Sequence, residues 1–192
     1  ELARLHELGL PNTIEADRLE RRLQLEARLC QDAGDVEGEL AALEQEAEGH
    51  RAAQRFGDAA DAAMRLARAL GSSGRTDEAI ATYDRCLELW SELGEPRREA
   101  QARSNRANLI LRKGDRRAAV EEYRAGLELL AAIDEARVDR TQVGYNLALA
   151  LKELGEHEAA LNVLGDAIPV AREIHNPGLL CRIYNARGAI QD

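Results

Sequence analysis

The sequence predicts an all-α array of stacked antiparallel helix pairs, and three observations carry that prediction. Composition comes first: of 192 residues, 34 are Ala and 28 Leu, against 18 that are Val, Ile or Thr. Ala and Leu lead the helix scale while β-branched residues favour strands, so a β-rich fold is excluded. The second is a repeat. Gly34, Gly74, Gly114 and Gly155 follow one another at intervals of 40, 40 and 41 residues. The third is that other residues keep the same phase. Ala27, Ala67, Ala107 and Ala148 each stand seven residues before a glycine, and Ala79, Ala119 and Ala160 stand five after the last three. Tyr83, Tyr123 and Leu164 stand nine after those same three.

Taken along the chain, residues 2–8, ending at Leu8-Gly9-Leu10-Pro11, read as the tail of an earlier second helix. Four units follow at about 20–59, 60–99, 100–140 and 141–180, and residues 181–192 open a unit that is not finished. Within the third unit, Ala107, Ile110 and Leu111 keep helical spacing up to Gly114. Ala119, Val120, Tyr123, Leu127 and Leu130 keep it afterwards. The glycine ends the first helix where a left-handed residue lets the chain reverse. The alanines let antiparallel helices approach closely. Pro96 and Pro177 mark joins between units. Glu39 stands where the other units have alanine, so the first unit is degenerate or shifted. Pro169 falls inside a second helix and predicts a local bend. Trp90 is expected to fill the join between units, where Leu130 falls 40 residues later.

A small residue, glycine, alanine five on and a large apolar residue four further resembles the tetratricopeptide repeat. The resemblance is good over residues 60–175 and looser over 20–59 and 176–192. A period of about 40, rather than the usual 34 or so, resembles the long-helix variety carried by bacterial signal-transduction and transcription regulators and by kinesin light chains. The resemblance implies one right-handed α-solenoid over residues 1–192. It also implies that the first helices line a groove, to which Arg65, Arg68, Gln101, Asn105, Asn108, Arg112, Gln142, Tyr145, Asn146 and Lys152 are carried over. Amides suit a peptide backbone and cations suit carboxylates. A clamp for acidic chaperone tails is disfavoured, because among Met64, Arg68, Asn105, Gln142 and Asn146 only Asn105 matches that pattern. Arg106 departs from the family in taking a place usually apolar.

Other chemistry finds little footing. Gly71-Ser72-Ser73-Gly74-Arg75-Thr76 lacks the lysine and preceding strand of a phosphate loop and reads as an inter-helix turn. His6, His50, His157 and His175 show no recognised metal spacing, so no metal and no cofactor are expected. Glu44, Glu46 and Glu48, and the pair Glu121 and Glu122, read as solvated outer faces. No nucleophile has a readable partner, so no catalytic residues and no enzyme activity are expected. Cys30, Cys86 and Cys181 read as buried small hydrophobes of a reducing compartment. The net charge of −9 argues against nucleic acid and anionic membranes as partners.

The expected function is protein or peptide binding, as a scaffold or sensor segment of a larger cytoplasmic, bacterial regulatory protein. That parentage rests on the resemblance and the unfinished ends. The alternatives are a small-molecule effector domain of a bacterial transcription activator and a structural oligomerisation module. Leu2, Leu5 and Leu8 at one end, and Ile183 and Ile190 at the other, are expected to leave apolar surface through which the chain self-associates weakly.

Overall fold

The computed structural model describes residues 14–191, which form nine α-helices and one 3-10 turn, with no strand among them. The helices are α1 (Ile14–Ala33), α2 (Val36–Ala52), α3 (Phe56–Ser72), α4 (Thr76–Glu92), α5 (Pro96–Arg112), α6 (Arg116–Ala131), α7 (Arg137–Leu154), α8 (His157–Glu173) and α9 (Pro177–Gln191). The 3-10 turn, Asp134–Ala136, lies before α7. The helix expected at residues 2–8, with His6 and Pro11, lies outside the described residues.

The chain divides at Gly94–Glu95 into two compact units. The first packs α1 to α4, each helix on the next, and the second packs α5 to α9 in the same way. In the second unit the first helices α5 and α7 also touch each other, as do α7 and α9.

Left-handed residues fall 20 apart along the first half: Gly34, Gln54, Gly74, Gly94 and Gly114 all have positive φ. They stop the first and second helices alternately, which is why a 40-residue glycine period marks helix pairs. Gly155 (φ 86°) closes α7 with its N–H returning to the last-turn carbonyls, a conformation that strains any residue with a Cβ. The 3-10 turn takes the place of the left-handed residue between α6 and α7, and there the period lengthens from 40 to 41. Asp35 and Asp115 cap α2 and α6 by accepting from Gly38 and Ala118 N–H at 3.1 Å. Pro96 opens α5 and Pro177 opens α9, where a missing N–H is harmless. α8 continues through Pro169 to Glu173.

The core runs along the helix contacts. Ala67, Ala107 and Ala148 on first helices, and Ala79, Ala119 and Ala160 on second helices, are all 0% exposed. At Gly126 of α6 a Cβ would stand in ordinary contact, 3.5 Å, with the Ala100 carbonyl oxygen, so α5 and α6 run close there. Larger side chains fill the spaces between: Tyr83, Trp90, Tyr123, Leu130, Leu151 and Leu164 are buried. Trp90 lies against the first turn of α3, beside Gly57.

Two expectations need correction here. Ile183 and Ile190 are buried, because α9 turns the face bearing Leu179, Ile183, Ala186 and Ile190 inward. The large apolar side chain that α9 exposes is Tyr184 instead. Of the cysteines only Cys86 is buried; Cys30 is half-buried and Cys181 exposed, all three as free thiols. Arg106, the noted departure from the family's apolar position, places its guanidinium 2.6 Å from the Glu122 carboxylate.

The alanine contacts make a direct prediction. Ala107→Leu adds three carbons at a fully buried position and should destabilise the chain by about 1–3 kcal/mol, as overpacking does. Urea denaturation measures it. A change below about 0.5 kcal/mol, the range of exposed substitutions, would contradict tight packing at this contact.

Candidate functional site

The expected groove residues fall on both units. In the second, Gln101 and Asn105 stand one turn apart on α5, and Gln142 and Asn146 one turn apart on α7. The structure brings these four amides together around one recess of about 590 Å³. Leu130 from α6 and the buried Ser104 and Val143 also line it. Arg97, one turn before Gln101, donates its Nε–H to Asp139 of α7 across the mouth. Arg98 lies beside it on the same wall.

The amides differ in how far they are engaged. Gln142 Nε2 donates to Asn146 Oδ1 at 3.3 Å, a long and weak bond. The side chains of Gln101 and Asn105 have no hydrogen-bond partner among the described residues. Asn105 is half-buried, so its donors and acceptor face the recess. A main-chain segment can satisfy both at once.

The other expected groove residues are placed differently. Asn108 accepts a 2.7 Å hydrogen bond from the hydroxyl of Tyr123, a fully buried phenol. Burial pushes the Tyr123 hydroxyl's pKa up, which keeps it a donor. Tyr145 lies under the guanidinium of Arg182 from α9, 4.3 Å from the ring centroid, in a cation–π contact. Arg112 and Lys152 occupy the last turns of α5 and α7, where their charges meet the helix carbonyl ends. In the first unit Arg65 and Arg68 line a separate recess of about 280 Å³, with Gln24, Arg28 and Glu39.

Arg65 is also tied inward. Its Nη2 donates at 2.6 Å to Glu46 Oε1, and Gln24 donates to the same oxygen at 3.0 Å. Glu46 is 0% exposed, which corrects the expectation of a solvated face for it. Burial pushes the Glu46 carboxyl up, but His50, Arg65 and Gln24 around it outweigh that and hold it at about 2. His50 is buried too, and Arg55 ties the neighbouring Glu20 at 2.9 Å. Glu122 is a second correction. It is half-buried with Arg106 at 2.6 Å and Arg103 at 3.6 Å, whereas Glu121 beside it is exposed.

Sequence reasoning missed Arg97 and Asp139, although counting back one turn from Gln101 on the same face reaches Arg97. It also missed Glu20, Glu46 and His50, although the repeat register exposes them, as shown below. The phosphate-loop look-alike is a turn, in which Arg75 chelates Glu78 through two hydrogen bonds of 2.7 and 2.6 Å.

Paired helices with small residues at their contacts, and polar faces on successive first helices, define a helical-repeat solenoid. The family follows: residues 58–132 match the family model described as Tetratricopeptide repeat. That segment is therefore a tetratricopeptide-repeat segment, and such repeats are protein-interaction modules. Solved structures agree on the fold. BtubC (BKLC) from P. vanneervenii superposes with a TM-score of 0.75 at 19% identity, over 99% of this chain and 81% of that one. The nearly identical tetratricopeptide-like repeats described for a kinesin light chain of Podosopora anserina give 0.69 at 18%, over 100% and 90%. MamA protein gives 0.59 at 15%, over 91% and 86%. No curated protein matches the sequence. No helix among the described residues is long and apolar enough to cross a membrane.

The Glu46 cluster predicts an acid transition. Glu46 stays ionised in the folded chain down to about pH 2, while the unfolded chain protonates near 4.5. Between these values the unfolded state binds more protons, so stability falls as pH falls. The Glu46 contribution is fully present above about pH 4.5 and lost as pH drops through about 2. Urea midpoints between pH 6 and pH 2 should therefore fall more for the native chain than for Glu46→Gln. Parallel curves would refute the assignment.

Proposed function

We propose that the face shared by α5 and α7 binds an extended segment of a partner protein and grips its main chain with side-chain amides. The observation that carries this reading is the set of four amides, Gln101, Asn105, Gln142 and Asn146, around one recess. Two of them lack intramolecular partners. An extended peptide offers N–H and C=O groups alternately, and each amide supplies the complement of both. Arg97 and Asp139 pair with each other, so apart from Arg98 the lining is neutral and suits main chain more than a highly charged ligand. The family's role as an interaction module supports the same reading.

The test begins by panning a random-peptide library on the intact chain and taking one bound peptide forward. Asn105→Ala and Asn146→Ala should weaken it by about 1–3 kcal/mol, through stranded peptide groups. Their stability should change by less than about 0.5 kcal/mol. Glu121→Ala, on the exposed face of α6, should change neither. Normal binding by both Asn variants, with weakened binding by Glu121→Ala, would move the working surface to the second helices.

A further inference from the structure

The first helix pair breaks the pattern that the other three keep. Counting by the repeat period, Glu20 corresponds to Ala60, Ala100 and Thr141. Glu46 corresponds to Cys86, Gly126 and Ala167, and His50 to Trp90, Leu130 and Ala171. All nine counterparts are buried and none carries a charge. In the first pair alone, three ionisable side chains occupy positions that the fold otherwise fills with small or apolar groups. Burying charge is unfavourable unless something compensates it.

The protein's own groups compensate only in part. Arg65 and Gln24 hold Glu46 Oε1, but Glu46 Oε2 is buried and accepts no hydrogen bond. His50 Nε2 stands 3.7 Å from Glu46 Oε1 and 3.9 Å from Glu20 Oε1. Those separations are too long for hydrogen bonds. They are close to the roughly 3.4 Å between two ligand atoms that share one tetrahedral ion at about 2.0–2.1 Å. One donor atom from each of the three residues lies within 4.8 Å of the others.

We propose that Glu20, Glu46 and His50 form a binding site for a divalent transition-metal ion of the zinc class. One imidazole nitrogen with two carboxylates suits such an ion, whereas calcium and magnesium prefer all-oxygen shells. Arg55 divides its charge between Glu20 and Asp58, so the cluster keeps a net negative charge that attracts a cation. Arg55, half-exposed, holds Oε2 of Glu20, the oxygen turned away from His50, and so orients that carboxylate; Arg65, also half-exposed, holds Oε1 of Glu46, the oxygen nearest His50, which leaves the unpartnered Oε2 of Glu46 free to turn toward an ion. Glu20 is the partly exposed member, with 20% of its side chain open, and gives the ion its way in. The site lies in the first unit and is independent of the peptide recess in the second.

The experiment uses the full chain, stripped with chelator and desalted, and titrated with zinc chloride by calorimetry and with cobalt(II) by absorption. The expected result is uptake of one equivalent, with cobalt d–d bands and no thiolate charge-transfer band. Zinc should also raise the melting temperature. The double variant Glu46→Ala with His50→Leu carries the residues of the later repeats at these positions. It should fold, lose affinity by about tenfold or more, and lose the zinc-induced shift in melting temperature. Glu20→Gln, at the partly exposed position, should weaken binding without unfolding the chain. No uptake by the native chain, equal uptake by the double variant, or a thiolate band pointing to Cys30 or Cys181 would each overturn the proposal.

Discussion

Everything in this structure depends on how closely its antiparallel helices approach. At each helix-pair contact in the second, third and fourth pairs, an alanine on the first helix and one on the second are fully buried. Interiors at native density leave few voids, so a larger side chain at such a position must displace its neighbours. Close packing fixes the rotation of each helix about its axis. Rotation in turn decides which residues face the neighbouring pair and which remain polar. The amides of α5 and α7 meet around one recess on the polar side of the packed helices.

Much of this was legible in the sequence, because the signals are short-range and repeated. A glycine every 40 residues marks a left-handed stop, and prolines at 96 and 177 mark helix starts. The alanine phase marks the contacts. What was not legible is where long or flexible side chains end. Asn108 shares the expected polar face, but its oxygen is taken by the buried Tyr123 hydroxyl. Tyr145 is covered by Arg182, from a helix 37 residues further along the chain. Glu122 folds back onto Arg103 and Arg106. A helical wheel assigns a face to each of these residues but gives neither reach nor partner. Ile183 and Ile190 failed for another reason: an unfinished unit still has one neighbour, and α9 spends its apolar face on α8 and α7.

The first pair shows what repeats offer to physical reading. Each position has counterparts in the same chain that report what the fold demands there. Ala60, Cys86 and Trp90 report that the positions of Glu20, Glu46 and His50 accept small or apolar groups. The charged residues therefore answer a local requirement and not the architecture. The same comparison separates the two recesses. Amides at corresponding positions of α5 and α7 extend one polar face along successive first helices, whereas the cluster in the first pair has no equivalent elsewhere.

The central claim, that buried alanines hold the two helices of each pair together, is tested most directly by amide hydrogen exchange on Ala148→Leu. Helix α7 touches α5, α6, α8 and α9, so forcing it outward should loosen those neighbours first. In repeat architectures contacts are local and stability is close to a sum over units. Protection should therefore fall in α5 to α9 above all, with α1 to α4 retaining theirs. Unchanged exchange throughout, or an equal loss from α1 to α9, would contradict the account.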